Sequence, residues 1–114
     1  KYISDWDLAR MDYDGAENTK HIQEIGTDIK LADGEYIPSL GELYLIYLYK
    51  YEINEALSYV YGKQISGECY WSSTEGTPNL AWILYFKHGN QNFSRKSTRQ
   101  CRVRPVSAFI ASTL

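Results

Sequence analysis

The stretch AWILYFKHGNQNFSRKSTRQCRVRPVSAF, residues 81–109, decides how the chain is read. Trp82, Leu84 and Phe86 alternate as one buried face of a strand should, because successive side chains point to opposite sides. Ile83 and Tyr85 point the other way, where a half-solvated strand would carry polar residues. Large apolar groups on that side need a cover or a ligand. A turn follows at His88, Gly89 and Asn90. The run from Asn90 to Gln100 is then polar and irregular around one aromatic, Phe93. It reads as a long loop, and a long loop on a small domain usually carries function.

Within this stretch residues 81–87 and 102–106 read as strands; upstream of it residues 70–73 read as another, and Glu75, Gly76, Thr77, Pro78 and Asn79 as a turn. Upstream of Gly67 the pattern becomes helical. Ser4 followed by Asp7, and Asp14 followed by Glu17, are capping-box-like openings; the second precedes a helix through Ile22 and Ile25 that stops at Gly26. In IPSLGELYLIYLYK, residues 37–50, Pro38 bars an earlier start, Ser39 caps, and Glu42 reaches back to the cap amide. Leu40, Leu43, Ile46 and Tyr47 share a face, broadened by Leu45, Leu48 and Tyr49, so this helix is expected to be largely buried. A shorter one follows on Ile53, Leu57 and Val60, ended by Gly62. Most of the eleven tyrosines fall in or beside these two helices, where packing with the hydroxyl at the rim is their ordinary use.

A chain of 114 residues with 44% hydrophobic and 23% charged residues has the balance of one globular domain, neither disordered nor membranous. The longest apolar run, residues 43–49, is too short to span a bilayer, so no membrane insertion is expected. The first residue is Lys1 rather than methionine, as in a mature or trimmed product, and a removed signal stays open. Cys69 and Cys101 lack metal spacing but can pair if the fold brings them together. With only His21 and His88 beside them, neither a metal nor another cofactor is expected.

Charge is distributed unevenly. Residues 1–68 hold thirteen acidic and six basic side chains, and residues 69–114 one acidic and six basic. Arg95, Lys96, Arg99, Arg102 and Arg104 could follow a nucleic acid backbone. Neutralising the acidic half and bonding loop carbonyls explains them better, since an overall charge of −2 repels a polyanion at long range. MDYDG, residues 11–15, sets Asp12 and Asp14 two apart before a glycine, but the spacing of a calcium loop does not continue. Capping by Asp14 accounts for it. Ser72 and Ser73 lack a glycine elbow, and the cysteines lack a histidine partner, so no catalytic residue is assigned and the chain is not read as an enzyme.

YWSSTE (70–75), AW (81–82), GNQN (89–92) and RVRPVSAF (102–109) together resemble the C-terminal signature of C-type-lectin-fold variable proteins, which diversity-generating retroelements diversify in gut bacteria and their phages. MDYDGAENT (11–19) and YIPSLGELYLIYL (36–48) resemble the N-terminal halves of the same proteins, and IPSLGEL echoes the related formylglycine-generating-enzyme-like branch. The resemblance implies an α+β, C-type-lectin-like fold of one domain, with residues 1–67 as helical scaffold and 68–114 as strands and a variable region. It also implies that ligand recognition falls on Ile83, Tyr85, His88, Phe93, Ser94, Arg95, Ser97, Thr98, Arg99 and Cys101. All ten are residue types that adenine-directed diversification can produce. Trp82, Lys87, Gln91 and Lys96 between them are not.

On this reading Ile83 and Tyr85 form a display surface, while Trp71, Trp82, Leu84, Phe86, Val103 and Val106 are buried beneath it. The implied partner is a protein or surface glycan on a host or neighbouring cell, and the implied location a phage virion or a bacterial cell surface, or secretion. A fixed-site adhesin or pilus-tip module is the alternative, with a nucleic-acid-binding domain further behind. The sugar-binding triplets of calcium-dependent C-type lectins are missing, so the resemblance implies neither calcium nor sugar specificity. The paired catalytic cysteines of the formylglycine generators have no counterpart.

Overall fold

Ser39 starts the helix around which the rest is organised. In the computed structural model, which describes residues 1–97 and 100–107, the Ser39 hydroxyl accepts from the Glu42 amide and Glu42 Oε1 accepts from the Ser39 amide at 2.8 Å. This reciprocal cap satisfies two amides that the first helical turn leaves open. The elements in chain order are α1 (Trp6–Arg10), α2 (Gly15–Ile25), β1 (Glu35–Tyr36), α3 (Leu40–Leu48), α4 (Lys50–Tyr59), β2 (Cys69–Thr77), β3 (Leu80–Tyr85), β4 (Asn90–Arg95) and β5 (Val106–Ser107). The architecture is mixed α+β. One antiparallel sheet runs β2-β3-β4, and β1 pairs with β5 in a second.

The core lies between the helices and one face of the larger sheet. Leu40 and Leu43 of α3 and Ala9 of α1 meet Tyr70, Trp82, Leu84 and Phe86, all buried. The inward alternation of residues 82, 84 and 86 is therefore as expected. Trp82 is the centre of an aromatic group: Trp6 meets it edge-on at 4.9 Å and Phe93 stacks on it at 4.5 Å. Its indole N–H donates to the Ile3 carbonyl at 2.7 Å. On the same side Gln91 is buried and engaged at both amide atoms: it accepts from Arg10 at 2.6 Å and from Tyr44 at 3.0 Å, and donates to the Trp6 carbonyl at 3.0 Å.

Several expectations need correction. Residues 90–95 form β4 rather than loop, pairing from Tyr85↔Asn90 to Leu80↔Arg95. The region read as a turn at 75–79 is mostly β2, and only Pro78 and Asn79 turn. Residues 102–106 are not a strand: Arg102 makes an isolated parallel bridge to Tyr70, and pairing resumes at Val106. Trp71, Val103 and Val106 are half-buried. α3 is less buried than its composition suggests, with Leu45 and Leu48 exposed, and α4 buries no residue fully. Tyr49, Tyr51, Tyr59 and Tyr61 stand in solvent rather than packing. Asp5, not Ser4, caps α1, and α2 has no side-chain cap from Asp14.

Asp14 does something else. Its carboxylate binds Lys1 at 2.5 Å, and Asp12, two residues earlier, is the buried hub. Asp12 accepts from Asn18 and Thr74, each at 2.8 Å, from the Asp14 amide at 3.1 Å, and pairs with Lys1 at 3.0 Å. It thereby joins the chain start, α2 and β2. Burial pushes its pKa upward, but the bonds from Asn18, Lys1, Thr74 and the Asp14 amide outweigh that and hold it below the usual aspartate value. A carboxyl depressed on folding stabilises the native state fully above its unfolded pKa, about 3.9, and loses that contribution as pH falls through the folded value. Urea midpoints measured from about pH 5 downward should fall more steeply in the wild type than in Asp12→Asn. Equal slopes would show that Asp12 carries no net linkage.

Candidate functional site

Register decides which expected residues share a surface. Directly opposed residues of an antiparallel pair lie on one face. The face turned from α3 therefore carries the rows Cys69, Tyr85, Asn90 and Trp71, Ile83, Asn92, and then Ala81 opposite Ser94. Ile83 points away from the core as predicted, yet it is 0% exposed, so it is not displayed. Ser94 is buried as well. β3 is covered on both faces, which is why its run of apolar residues is unbroken.

The remaining residues divide. Phe93 lies on the core face, against Trp82, and fills the space where a Cβ on Gly76 would lie, within 1.7 Å of its ring. It is an anchor rather than a displayed group. Cys101 is bonded to Cys69, which ties the 100–102 segment to β2 beside the mutual backbone bonds of Cys69, Trp71 and Arg102. Tyr85 is half-buried with its ring 5.5 Å from that of His88 at the β3–β4 turn, where Gly89 takes φ +75°. Arg95 and Ser97 are exposed at the opposite end of the hairpin, roughly 17 Å away at a strand's rise per residue. Thr98 and Arg99 lie outside the described residues. A continuous ten-residue platform is thus not present; its middle is buried.

At the Arg95 end two depressions adjoin. The larger, about 560 Å³, opens between Ile22 and Ile25 of α2, Ile29 in the following loop, and Trp71, Ala81 and Val103 on the sheet side. Cys101, Glu75 and Lys96 also line it. The smaller, about 400 Å³, is walled by Thr77, Asn79, Leu80, Arg95 and Ser97. Both include Pro78 and Lys96. The Lys96 ammonium is fixed there by the Glu75 carboxylate and by the Pro78 carbonyl at 2.9 Å. Sequence reasoning passed over Lys96, Trp71 and the α2 isoleucines. The available signal was the thin apolar stripe of α2, which has to meet something.

Two other cations of the basic half are engaged. Arg102 pairs with Glu68, whose pKa the guanidinium holds below the usual range. Arg104 donates to the Lys63 carbonyl at 2.5 Å. Among the described residues no group of three His, Cys, Asp or Glu side chains is placed to hold a metal ion, and no helix is long and apolar enough to cross a membrane. Comparison with known protein families, curated proteins and solved structures gives no significant match.

Proposed function

We propose that this chain is a ligand-recognition module, not an enzyme, built on a C-type-lectin-like scaffold and contacting its ligand through the corner around Lys96. One observation carries the reading: Arg95, Ser97 and Cys101, three of the residues implied by the family resemblance, line two adjoining clefts at one end of the sheet. The support is rigid in the sense that matters for binding. β3 is buried on both faces, and the disulfide fixes the segment on the far side of the corner, so little order has to be imposed when a ligand arrives. Such a module acts at a phage or bacterial surface on a protein or glycan of another cell. Nucleic acid is the weaker ligand class because Arg102 and Arg104 are already committed within the fold.

Two measurements test this. Labelled domain applied to intact gut bacteria should bind a subset of strains, and Arg95→Glu combined with Ser97→Trp should abolish that binding while leaving the melting temperature in place. Binding that survives the double substitution moves the site elsewhere. Sibling gene copies should differ at codons 95 and 97, beside a reverse transcriptase and an adenine-bearing near-copy of the 3′ coding region. Siblings constant at those codons would instead support the fixed-site adhesin.

A further inference from the structure

The two adjoining clefts differ in chemistry. The larger is walled by aliphatic groups and one indole, Ile22, Ile25, Ile29, Val103 and Trp71, and its size is that of a pocket for a small ligand or a large side chain. The smaller is polar, with Thr77, Asn79, Arg95 and Ser97. Lys96 stands where they meet. Its ammonium has three donors; the Glu75 carboxylate and the Pro78 carbonyl take two, and the third has no partner among the described residues. The Arg95 guanidinium, exposed beside it, likewise has no ion-pair partner among the described residues. Glu75 is 7% exposed, so it holds Lys96 in place and is not itself presented to a ligand. Glu75 offsets Lys96, so the cation left without a carboxylate partner at the junction is Arg95. Asp28, exposed in the lining of the larger cleft, is the other carboxylate there among the described residues.

We infer that this corner binds a protein ligand by seating a large apolar side chain in the isoleucine cleft and holding a neighbouring carboxylate between Lys96 and Arg95. The inference rests on the recognition reading above and narrows it to one ligand chemistry. A glycan fits the larger cleft poorly. Thr27, Asp28, Ser72 and Lys96 in its lining can serve only some of a sugar's hydroxyls, and those turned to the isoleucines and Val103 would be stripped of water with no bond returned. An aliphatic or aromatic side chain loses nothing there and gains burial. A carboxylate one or two residues away then meets a cation whose position is already fixed, the arrangement in which a charge-assisted bond costs least ordering.

The test is to pan a random-peptide phage library against the intact, oxidised domain. Enriched sequences should carry a large apolar residue within two positions of Asp, Glu or a terminal carboxylate. The best peptide, made synthetically, should lose at least about tenfold in Kd on Arg95→Glu and again on Ile25→Glu. Both side chains are exposed, Ile25 at 66%, so the fold tolerates these changes, and His88→Ala at the other end of the hairpin should leave Kd unchanged. Enriched peptides lacking the apolar–acidic pair, or indifferent to both substitutions, would overturn the inference. So would a glycan array that binds through Arg95 while no peptide is enriched, although that outcome would leave the recognition reading standing. If the domain binds intact cells, but that binding ignores Arg95→Glu and no peptide is enriched, the inference falls together with the placement of the recognition site at this corner.

Discussion

Trp82→Ala should destabilise the domain by about 3 to 5 kcal/mol, the range for emptying a buried aromatic site. Trp82 is 0% exposed and lies between Trp6 and Phe93, so its removal leaves a cavity and frees two rings from their packing partner. It also leaves the Ile3 carbonyl without its donor. Against a total stability of about 5 to 15 kcal/mol, the loss brings the fold close to its limit. Urea unfolding should show a lower midpoint with an unchanged slope, the signature of a stability change within the same two states. Trp82→Phe keeps part of the ring but not the N–H, and should cost less. A variant Trp82→Ala that melts with the wild type would mean that the Trp82 ring is not packed in the core.

Replacing both cysteines by serine should be the second large effect. The Cys69–Cys101 bond joins positions 32 apart, and between them lie the rest of β2, all of β3 and β4, and the Lys96 corner. Closing a loop of that length removes unfolded-state entropy worth on the order of 3 to 4 kcal/mol, by the chain-entropy account. The doubly substituted protein should therefore unfold at clearly lower urea, and wild type measured in strong reductant should match it. Identical midpoints for oxidised, reduced and substituted protein would show that the bond contributes nothing. Because Cys101 lines the larger cleft, reduction should also weaken any ligand that binds there.

Local rules with a single reading were legible. The Ser39–Glu42 cap, the inward set Trp82, Leu84 and Phe86, and the change from helix to strand near Gly67 all follow from spacing, because each rests on a contact within a few residues. β4 was not legible. NQNFSR has no β-branched residue and one apolar side chain, so strand propensity is silent; its inward residues are Gln91, satisfied by Arg10, Tyr44 and the Trp6 carbonyl, and Phe93, seated on Gly76. Those partners are distant in sequence. A glycine inside β2 looks like a turn until the ring that covers it is known.

The outward face was misread for a related reason. The pair Ile83 and Tyr85 has two explanations, display or cover, and periodicity alone does not separate them. Burial of Ile83 on the face away from the core decides for cover at that position. Of the ten residues implied by the resemblance, the corner keeps those whose backbone leaves the sheet: Arg95 closes β4, Ser97 follows it, and Cys101 returns under the disulfide. Lys96 was discounted because it is not a type that adenine-directed diversification produces. Its bonds to Glu75 and to the Pro78 carbonyl suit a group that fixes the corner whatever surrounds it.

The central claim is that the corner around Lys96 is where this molecule binds. Amide chemical-shift mapping with 4-phenylbutyrate, a small acid with an apolar ring, tests it most directly. The account predicts saturable shifts at residues 25 to 29, at Trp71, at Arg95 and Lys96, and at Val103, lost in Arg95→Glu. Shifts confined to the exposed apolar surface of α3 and α4, at Leu45, Leu48, Tyr59 and Val60, would contradict it.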